Sequence, residues 1–178
     1  MAGVAGLTDD ALVSRAAKGD KDAFAMLIEP RTDRAVRTAR AILGDEGEAR
    51  DAAQEAFVSA WVNLPGLRDA GRFDAWLNRV LLNQCRDALR RRKRSPDIVA
   101  YTVEAAVADP AAASLDTTSL LAAFDRISLE ERQILVLHHL HDLPLADVAR
   151  QLGIPVGTAK SRLWSARRAL GRALEAEA

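Results

Sequence analysis

The strongest constraint on the fold is a stretch near the C-terminus, LPLADVARQLGIPVGTAKSRLWSARRAL, residues 143–170. Its first part predicts a short helix that ends at Gly153, because glycine readily takes the left-handed conformation that closes a helix. The apolar residues of that helix are Leu145, Val148, Ala149 and Leu152. Proline is favoured where a helix starts, so Pro155 marks a second helix. Its apolar residues share one face and are Val156, Ala159, Leu163, Ala166 and Leu170. Two helices joined in this way are a helix-turn-helix.

The other side of the second helix is polar and basic. Recognition helices place their first residues against base edges in the major groove and use later basic residues on phosphates. Arg162 can donate two hydrogen bonds to guanine, and Lys160 can contact guanine or phosphate. We therefore predict a DNA-binding surface that consists of Thr158, Lys160, Ser161, Arg162 and Arg167.

Basic residues are concentrated in two segments although the formal net charge is zero. Residues 79–94 contain seven basic groups against one acid, and residues 156–172 contain five basic groups and no acid. Two positive segments in an otherwise acidic chain indicate local contact with phosphates. This distribution favours a nucleic-acid-binding protein over a chain with merely solvated helix faces.

The first basic segment, NRVLLNQCRDALRRRKR, is predicted to lie on one continuous helix, which begins before the segment, near Phe73. Asn83, Arg86, Asp87 and Arg90 recur there at three- and four-residue spacing, so they share a face. That face combines neutral, acidic and basic hydrogen-bonding groups and suits bases as well as phosphates. The preceding loop, residues 64–72, could accept an unstacked base.

The remaining pattern is helical throughout, so the fold class is all-α. Thr8 or Asp9 can cap a first helix, a second starts near Asp20, and Gly44 can end a third. Ser128 and Glu131 have the spacing of a capping box. The helix predicted from about residue 46 to residue 64 has one apolar face, and the apolar residues of the first basic helix include Trp76. The apolar face of the former consists of Ala53, Phe57, Ala60, Trp61 and Leu64.

Residues 95–118 contain Pro96 and Pro110, few long apolar side chains and no basic group, and are predicted to form a flexible linker. Two small helical domains, residues 8–94 and 119–175, lie on either side. Fully extended, this linker would reach roughly 80 Å at ~3.3 Å per residue.

The order of these segments resembles a sigma-70-type factor of the extracytoplasmic-function group. DAAQEAFVSAW resembles the polymerase-docking segment of that family, and FDAWLNRVLLNQCRDALRRRKR resembles its segment for the −10 promoter element. The helix-turn-helix is similar to the segment that recognises the −35 element. The resemblance covers residues 20–94 and 117–174.

The resemblance implies a role for each set of residues. Asp51, Gln54 and Glu55 would contact the basic clamp helices of the largest subunit of core RNA polymerase. The polar face of the first basic helix would contact the −10 element, and the 64–72 loop would hold a flipped base. The predicted surface on the recognition helix would contact the −35 element.

The implied partners are core polymerase, through its clamp helices and flap, promoter DNA and an anti-sigma factor. The resemblance implies no cofactor, no metal and no catalysis by the chain alone. Two features depart from the family: Leu82 stands where an arginine is usual, and Ala52 and Ala53 stand where a second acid is common. Both departures concern single contacts and leave the order of segments intact.

Two other classes of protein remain open from the residues alone. A helix-turn-helix regulator could bind duplex DNA without polymerase, but it leaves the first basic helix unexplained. An enzyme or metal site could use the histidines His138, His139 and His141, but no further ligand set or adjacent base accompanies them. The single cysteine, Cys85, excludes an internal disulfide and fits a reducing cytosol, although a redox switch at Cys85 stays open. No stretch is long and apolar enough for membrane insertion, so we expect a cytoplasmic protein.

Overall fold

The computed structural model describes residues 8–94 and 115–176, and these residues form helices and no strand. The all-α class predicted from the sequence is confirmed. Most of the predicted linker, residues 95–118, lies outside the described residues. Its last four residues belong to a helix that begins at Leu115. The helices are α1 (Asp9–Ala16), α2 (Lys21–Ile28), α3 (Thr32–Leu43), α4 (Glu46–Asn63), α5 (Phe73–Arg94), α6 (Leu115–Asp125), α7 (Leu129–Leu135), α8 (Leu145–Leu152) and α9 (Val156–Glu175).

Side-chain caps fix where the helices of the first domain begin. Thr8 accepts a hydrogen bond from the backbone N–H of Ala11 before α1, and Asp20 does the same for Ala23 before α2, at 3.4 and 3.0 Å. Each cap satisfies an amide that a helix start leaves without a partner. Gly44 ends α3 in the left-handed conformation, with φ of 81°. The predictions for Thr8, Asp20 and Gly44 are therefore confirmed.

Small residues form the buried face of α4. The buried side chains on this helix are Ala49, Ala52, Ala53, Ala56 and Ala60. The sequence analysis favoured Ala53, Phe57 and Trp61 as one inward face, but Phe57 and Trp61 are only half-buried. The alanines let α3 and α5 approach α4 closely, and this packing decides which side of α4 remains exposed.

The second domain begins with a capping box. The hydroxyl of Ser128 accepts from the N–H of Glu131, and the Glu131 carboxylate accepts from the N–H of Ser128, as the sequence predicts. The helix α7 continues into a π-helical turn, Val136–Leu140, before α8 and α9. Gly153 joins α8 and α9 with φ of 68°, which confirms the helix-turn-helix. Val156 was expected to face inward, but it is 52% exposed because it occupies the first position of α9.

The two domains pack against each other. The helix α3 lies against α6, α7 and the π-helical turn, and α5 contacts α8. Buried residues of both domains, including Ala39 and Ile42 of α3 and Ala123 and Ile134 of the second domain, belong to one apolar cluster. The sequence analysis predicted two domains joined by a linker, and it did not predict this packing.

A buried histidine lies at the boundary between the domains. His141 is 7% exposed and follows the π-helical turn of the second domain. Its Nδ1 accepts from the Arg34 guanidinium at 2.6 Å and from the Asn78 amide at 3.1 Å. Its Nε2 lies 2.8 Å from the Thr38 hydroxyl, which itself donates to the carbonyl of Arg34. A neutral ring that carries its proton on Nε2 fits these three partners, because Nδ1 then accepts from Arg34 and Asn78 while Nε2–H donates to the Thr38 oxygen.

We expect His141 to make the stability of the protein depend on pH. Burial and the Arg34 guanidinium lower the pKa of His141 to about 4, although the carboxylates of Asp74 and Asp142 favour the charged ring. The unfolded chain, with an ordinary histidine pKa of about 6.5, takes up the proton first as the pH falls. The stability that His141 contributes is therefore complete above about pH 6.5 and is lost progressively towards pH 4.

Urea unfolding at a series of pH values tests this expectation. Between pH 6.5 and 4, the free energy of unfolding of the wild-type chain should fall by about 1 kcal/mol more than that of His141→Gln, whose amide does not titrate. Carboxylates titrate in both proteins and cancel in the comparison. Parallel pH profiles would contradict the role given to His141.

Candidate nucleic-acid interface

The predicted polar residues of α5 lie together on one side of the helix. Asn83, Asp87 and Arg90 are exposed, and Arg86 is half-buried beside them. Arg86 donates to the side-chain oxygen of Asn83 at 3.3 Å, and Arg90 lies 3.4 Å from the Asp87 carboxylate. These contacts orient the Arg86 and Arg90 side chains along the helix, beside Asn83 and Asp87. Leu82, at the position where the resembled family has an arginine, is 1% exposed and belongs to the core, so the polar face begins at Asn83.

One residue of this face also contacts the second domain. Arg86 donates to the side-chain oxygen of Gln133 in α7 at 3.1 Å. Gln133 is 2% exposed, and its amide nitrogen has no hydrogen-bond partner. The second domain therefore covers part of the side of α5 on which the predicted DNA-binding residues stand.

A cavity of about 530 Å³ adjoins the segment between α4 and α5. This segment consists of two short 3₁₀ turns, Leu64–Gly66 and Ala70–Arg72. From the first domain, the lining includes Trp76, Arg68, Arg72 and Arg79, and also Asp69, whose carboxylate lies 3.9 Å from the Arg72 guanidinium. An aromatic ring with guanidinium groups in the same lining suits an unstacked base together with its phosphate. Trp76 was interpreted from the sequence as a core residue, and only the fold shows that it lines this cavity.

The same cavity is closed on its other side by the second domain. The residues that line it there are Leu143, Asp147, Arg150 and Gln151. Three of them belong to α8, the first helix of the helix-turn-helix. The segment predicted to receive a base is therefore partly enclosed by the domain predicted to bind the −35 element.

Most of the predicted recognition residues of α9 are exposed to solvent. Thr158, Lys160, Ser161 and Arg167 are exposed, while Arg162 is half-buried in a groove beside Glu130 and Glu131 of the second domain. The Ser161 hydroxyl donates to the carbonyl of Thr158 at 3.0 Å. Arg167 lies at the edge of the helix and contacts the ring of His139 at 3.3 Å. The five predicted residues thus surround the exposed side of α9 rather than form a single row.

Trp164, which the sequence analysis did not include, and Arg168, one of the basic residues of the segment, lie at the centre of that side. Trp164 is 61% exposed, and the guanidinium of Arg168 lies 4.7 Å from the centre of its ring. Trp164 lies one helical turn from Ser161 and Arg168 lies two turns from it, whereas the buried face consists of Ala159, Leu163 and Ala166. The signal that identifies Trp164 as a candidate binding residue is a large aromatic side chain that is exposed among polar residues.

The exposed face of α4 combines polar and apolar groups. Asp51, Gln54 and Glu55 are exposed as predicted, and Glu55 forms an ion pair with Arg91 of α5 at 3.2 Å. The sequence analysis did not include Val58 and Val62, which are 60% and 67% exposed. They continue the same side of the helix at steps of three and four residues. Two adjacent exposed valines beside a cluster of polar groups are typical of a protein-binding surface.

The remaining candidate groups are engaged in structural contacts. Cys85 is fully buried, and burial raises the pKa of its thiol to about 12, so it lacks the accessible thiolate that a redox switch requires. The three histidines face different partners, because His138 contacts the carbonyl of Leu143 while His139 contacts Arg167. Among residues 8–94 and 115–176, no group of histidine, cysteine and acidic side chains could hold a metal ion. Within the same part of the chain, no helix has the length and hydropathy of a membrane span.

Comparison with known families identifies both domains. Residues 27–95 match the model of sigma-70 region 2, and residues 117–170 match that of sigma-70 region 4. The first match contains α3, α4 and α5, and the second contains the helix-turn-helix. The two matched regions contain every predicted binding residue.

Individual proteins match over nearly the whole chain. The extracytoplasmic-function RNA polymerase sigma factor SigW of Bacillus subtilis is 30% identical over 91% of this chain and 94% of its own length. The structure of CnrH in complex with the cytosolic domain of CnrY covers 96% of this chain and 99% of CnrH, with 26% identity and a TM-score of 0.69. The sigma factor RpoE of Bartonella quintana, solved with the anti-sigma factor NepR, covers 85% of this chain and 96% of its own length, with 24% identity and a TM-score of 0.74, and shows the same fold.

Proposed function

The chain belongs to the sigma-70 family of RNA polymerase sigma factors, in its extracytoplasmic-function group, and from this premise we propose that it directs core polymerase to promoters with −35 and −10 elements. It acts in the cytoplasm and catalyses nothing alone, because the polymerase supplies the phosphodiester chemistry. Its domains, residues 8–94 and 119–175, each carry one DNA-binding surface.

The exposed face of α4 is the polymerase-binding surface. It consists of Asp51, Gln54, Glu55, Val58 and Val62. The carboxylates suit the basic clamp helices of the largest polymerase subunit, and the valines supply apolar area that is buried on binding. The second domain would reach the polymerase flap. SigW supports binding to polymerase because its name states that it is an RNA polymerase sigma factor.

The polar face of α5 and the adjacent cavity contact the −10 element. Asn83, Arg86, Asp87 and Arg90 offer hydrogen bonds to base edges and phosphates. Opening a duplex costs stacking free energy of about 1.4 kcal/mol per step. A base that leaves the stack can enter the cavity and stack on Trp76, while Arg68, Arg72 and Arg79 hold the phosphates. Capture of that base offsets part of the cost of melting.

The cavity beside α5 is the observation that carries the proposal. A regulator that binds only duplex DNA needs the recognition helix α9 but has no use for an aromatic pocket lined by arginines. The pocket adjoins the 3₁₀ turns between α4 and α5, and its lining includes Arg79 of α5. Because Arg79 lies one helical turn before Asn83, the pocket is next to the polar face of α5. An anti-sigma factor is proposed as a further partner, since RpoE of Bartonella quintana was solved with one.

Formation of a stable complex with core polymerase tests the proposal against the regulator alternative. The purified chain and sigma-free core polymerase should elute together in size-exclusion chromatography. A chain that does not bind core polymerase but shifts duplex DNA alone would be a helix-turn-helix regulator instead.

The recognition helix allows a separate prediction about the −35 element. Arg162→Ala and Trp164→Ala should each reduce transcription from a promoter with an intact −35 element about tenfold, because one base contact contributes about 1–3 kcal/mol. Arg172→Ala, which removes an exposed arginine further along α9, serves as the control. Run-off transcription on matched templates with and without the −35 element measures the effect. Equal losses on both templates would show that these side chains do not contact that element.

A further inference from the structure

One largely buried arginine joins the first helix of the chain to the start of α5. Arg31 ends a short 3₁₀ turn, Glu29–Arg31, between α2 and α3, and its side chain is 16% exposed. Its Nε donates to the Asp74 carboxylate of α5 at 2.5 Å, and one terminal nitrogen donates to the Asp9 carboxylate of α1. The other terminal nitrogen donates to the carbonyl of Leu27 in α2 at 2.7 Å. Each nitrogen of the guanidinium therefore contacts a different helix of the first domain.

The two carboxylates that Arg31 contacts both lie at helix starts. Asp9 and Asp74 belong to the first turns of α1 and α5, and both are more than half exposed. The helix dipole favours a carboxylate at such a position, but two carboxylates close to each other repel. The guanidinium between them replaces this repulsion with two charge-assisted hydrogen bonds. Arg31 thus holds the start of α5 against α1.

The same guanidinium also lies over the first residue of α5. The centre of the Arg31 guanidinium is 5.2 Å from the centre of the Phe73 ring, a distance at which a cation is attracted to the face of an aromatic ring. Phe73 is 2% exposed, and the centre of its ring lies 6.0 Å from that of Trp76. Arg31 is therefore connected through Phe73 to the aromatic ring that lines the proposed base-binding cavity.

The turns before α5 pack against α1 as well. The helix α1 contacts the 3₁₀ turn Ala70–Arg72, and the guanidinium of Arg72 lines the cavity. Leu12 of α1 shares an apolar cluster with Leu64 and Phe73, which lie at the two ends of this segment. The helix α1 precedes the residues that match sigma-70 region 2. It supports the wall of the cavity from outside that match.

We propose that Arg31 is a positioning residue for promoter melting, which holds the start of α5 and the adjacent turns in the geometry that accepts an unstacked base. The inference rests on the proposed function, because it concerns the base-binding cavity. Arg31 is not among the residues that line this cavity, so it acts through Phe73 and Trp76. Displacements of about 1 Å are sufficient to impair a functional site, and stacking on Trp76 depends on where its ring lies.

A positioning role predicts a loss that depends on the template. Arg31→Gln should impair the opening of a paired −10 element, because a displaced Trp76 captures the unstacked base less well. A template whose −10 element is already unpaired needs little energy to present that base, so the variant should transcribe it nearly as well as the wild type. A merely structural role gives a different result, since a smaller folded fraction lowers transcription from both templates by the same factor.

Two variants and one control separate the parts of this contact. Arg31→Gln removes the guanidinium and keeps a polar side chain. Asp74→Asn removes only the carboxylate that joins Arg31 to α5, at a side chain that is 61% exposed, and therefore guards against a folding defect in the first variant. Arg15→Gln is the matched control, because it breaks another arginine–carboxylate pair of the first domain, formed at 2.7 Å with Asp20 between α1 and the start of α2.

Run-off transcription measures the effect with the full chain bound to sigma-free core polymerase. Selection from genomic DNA fragments with the wild-type chain supplies a duplex promoter. The second template has the same sequence except for mismatches that leave its −10 element unpaired. Binding to core polymerase is titrated in parallel and should be unchanged in every variant, because none of the substitutions alters the exposed face of α4.

We expect Arg31→Gln and Asp74→Asn to lose about tenfold on the duplex promoter, which corresponds to about 1.4 kcal/mol, and at most about twofold on the unpaired template. Arg15→Gln should behave like the wild type on both. Equal losses on the two templates, or no loss on the duplex promoter, would overturn the positioning role while the proposed function stands. If selection with the wild-type chain yields no promoter at all, the proposed function fails, and the role of Arg31 in melting fails with it.

Discussion

Val58→Lys combined with Val62→Lys should lower the affinity for core polymerase at least about a hundredfold. The two valines are more than half exposed and lie one turn apart, beside Glu55 on the proposed polymerase-binding face. Burial of a valine side chain contributes about 1.5 kcal/mol or more, so two of them account for about 3 kcal/mol. Lysine adds the cost of desolvating a charge, and it faces the basic clamp helices that the family resemblance implies.

The effect on binding should appear without loss of folding. Substitutions at exposed positions change stability by about 0.5 kcal/mol or less, so thermal unfolding of the variant should match that of the wild type. Leu120→Lys, at an exposed leucine of α6, is the matched control and should bind normally. Titration of fluorescent protein with sigma-free core polymerase gives the affinities. Normal binding by the double variant would place the docking surface elsewhere.

The second large effect is expected at the polar face of α5. Asn83→Ala combined with Asp87→Ala should reduce promoter-dependent transcription about a hundredfold while binding to core polymerase remains unchanged. Each side chain can contribute about 1–3 kcal/mol of base discrimination, and each also holds a neighbouring arginine in position. Loss of both therefore removes two contacts and leaves Arg86 and Arg90 without their partners in the helix.

A control pair separates this effect from a general loss of polar groups. Asn63→Ala combined with Asp22→Ala removes the same two residue types from exposed positions of α4 and α2. Run-off transcription and polymerase binding are measured for both pairs. An equal loss of transcription in both, or a loss of polymerase binding in the α5 pair, would contradict the role assigned to Asn83 and Asp87.

The sequence predicted the helices well because their signals are local. The caps at Thr8, Asp20 and Ser128 and the left-handed glycines Gly44 and Gly153 act within a few residues, and each lies where it was expected. Contacts between the domains were not predictable in this way. Arg34 and His141 are separated by 107 positions, and no local pattern indicates that they meet.

Only the polar residues of the candidate surfaces were predicted, again because their signal is local. Charged and polar residues such as Asp51, Asn83 and Lys160 can be assigned to an exposed side of a helix from their spacing alone. An apolar residue gives no such indication, because a helix rich in apolar residues offers several candidate buried faces. Val58, Val62 and Trp164 were therefore recognised as exposed only after the packing of α4 and α9 was known.

Run-off transcription with sigma-free core polymerase tests the central claim most directly. The purified chain is mixed with the polymerase and a library of genomic DNA fragments, and transcript starts are compared with those made without the chain. A sigma factor should produce new transcripts downstream of a shared motif with two parts, at the spacing of −35 and −10 elements. Binding of the chain to duplex DNA without binding to the polymerase, and without any new transcript, would contradict the claim.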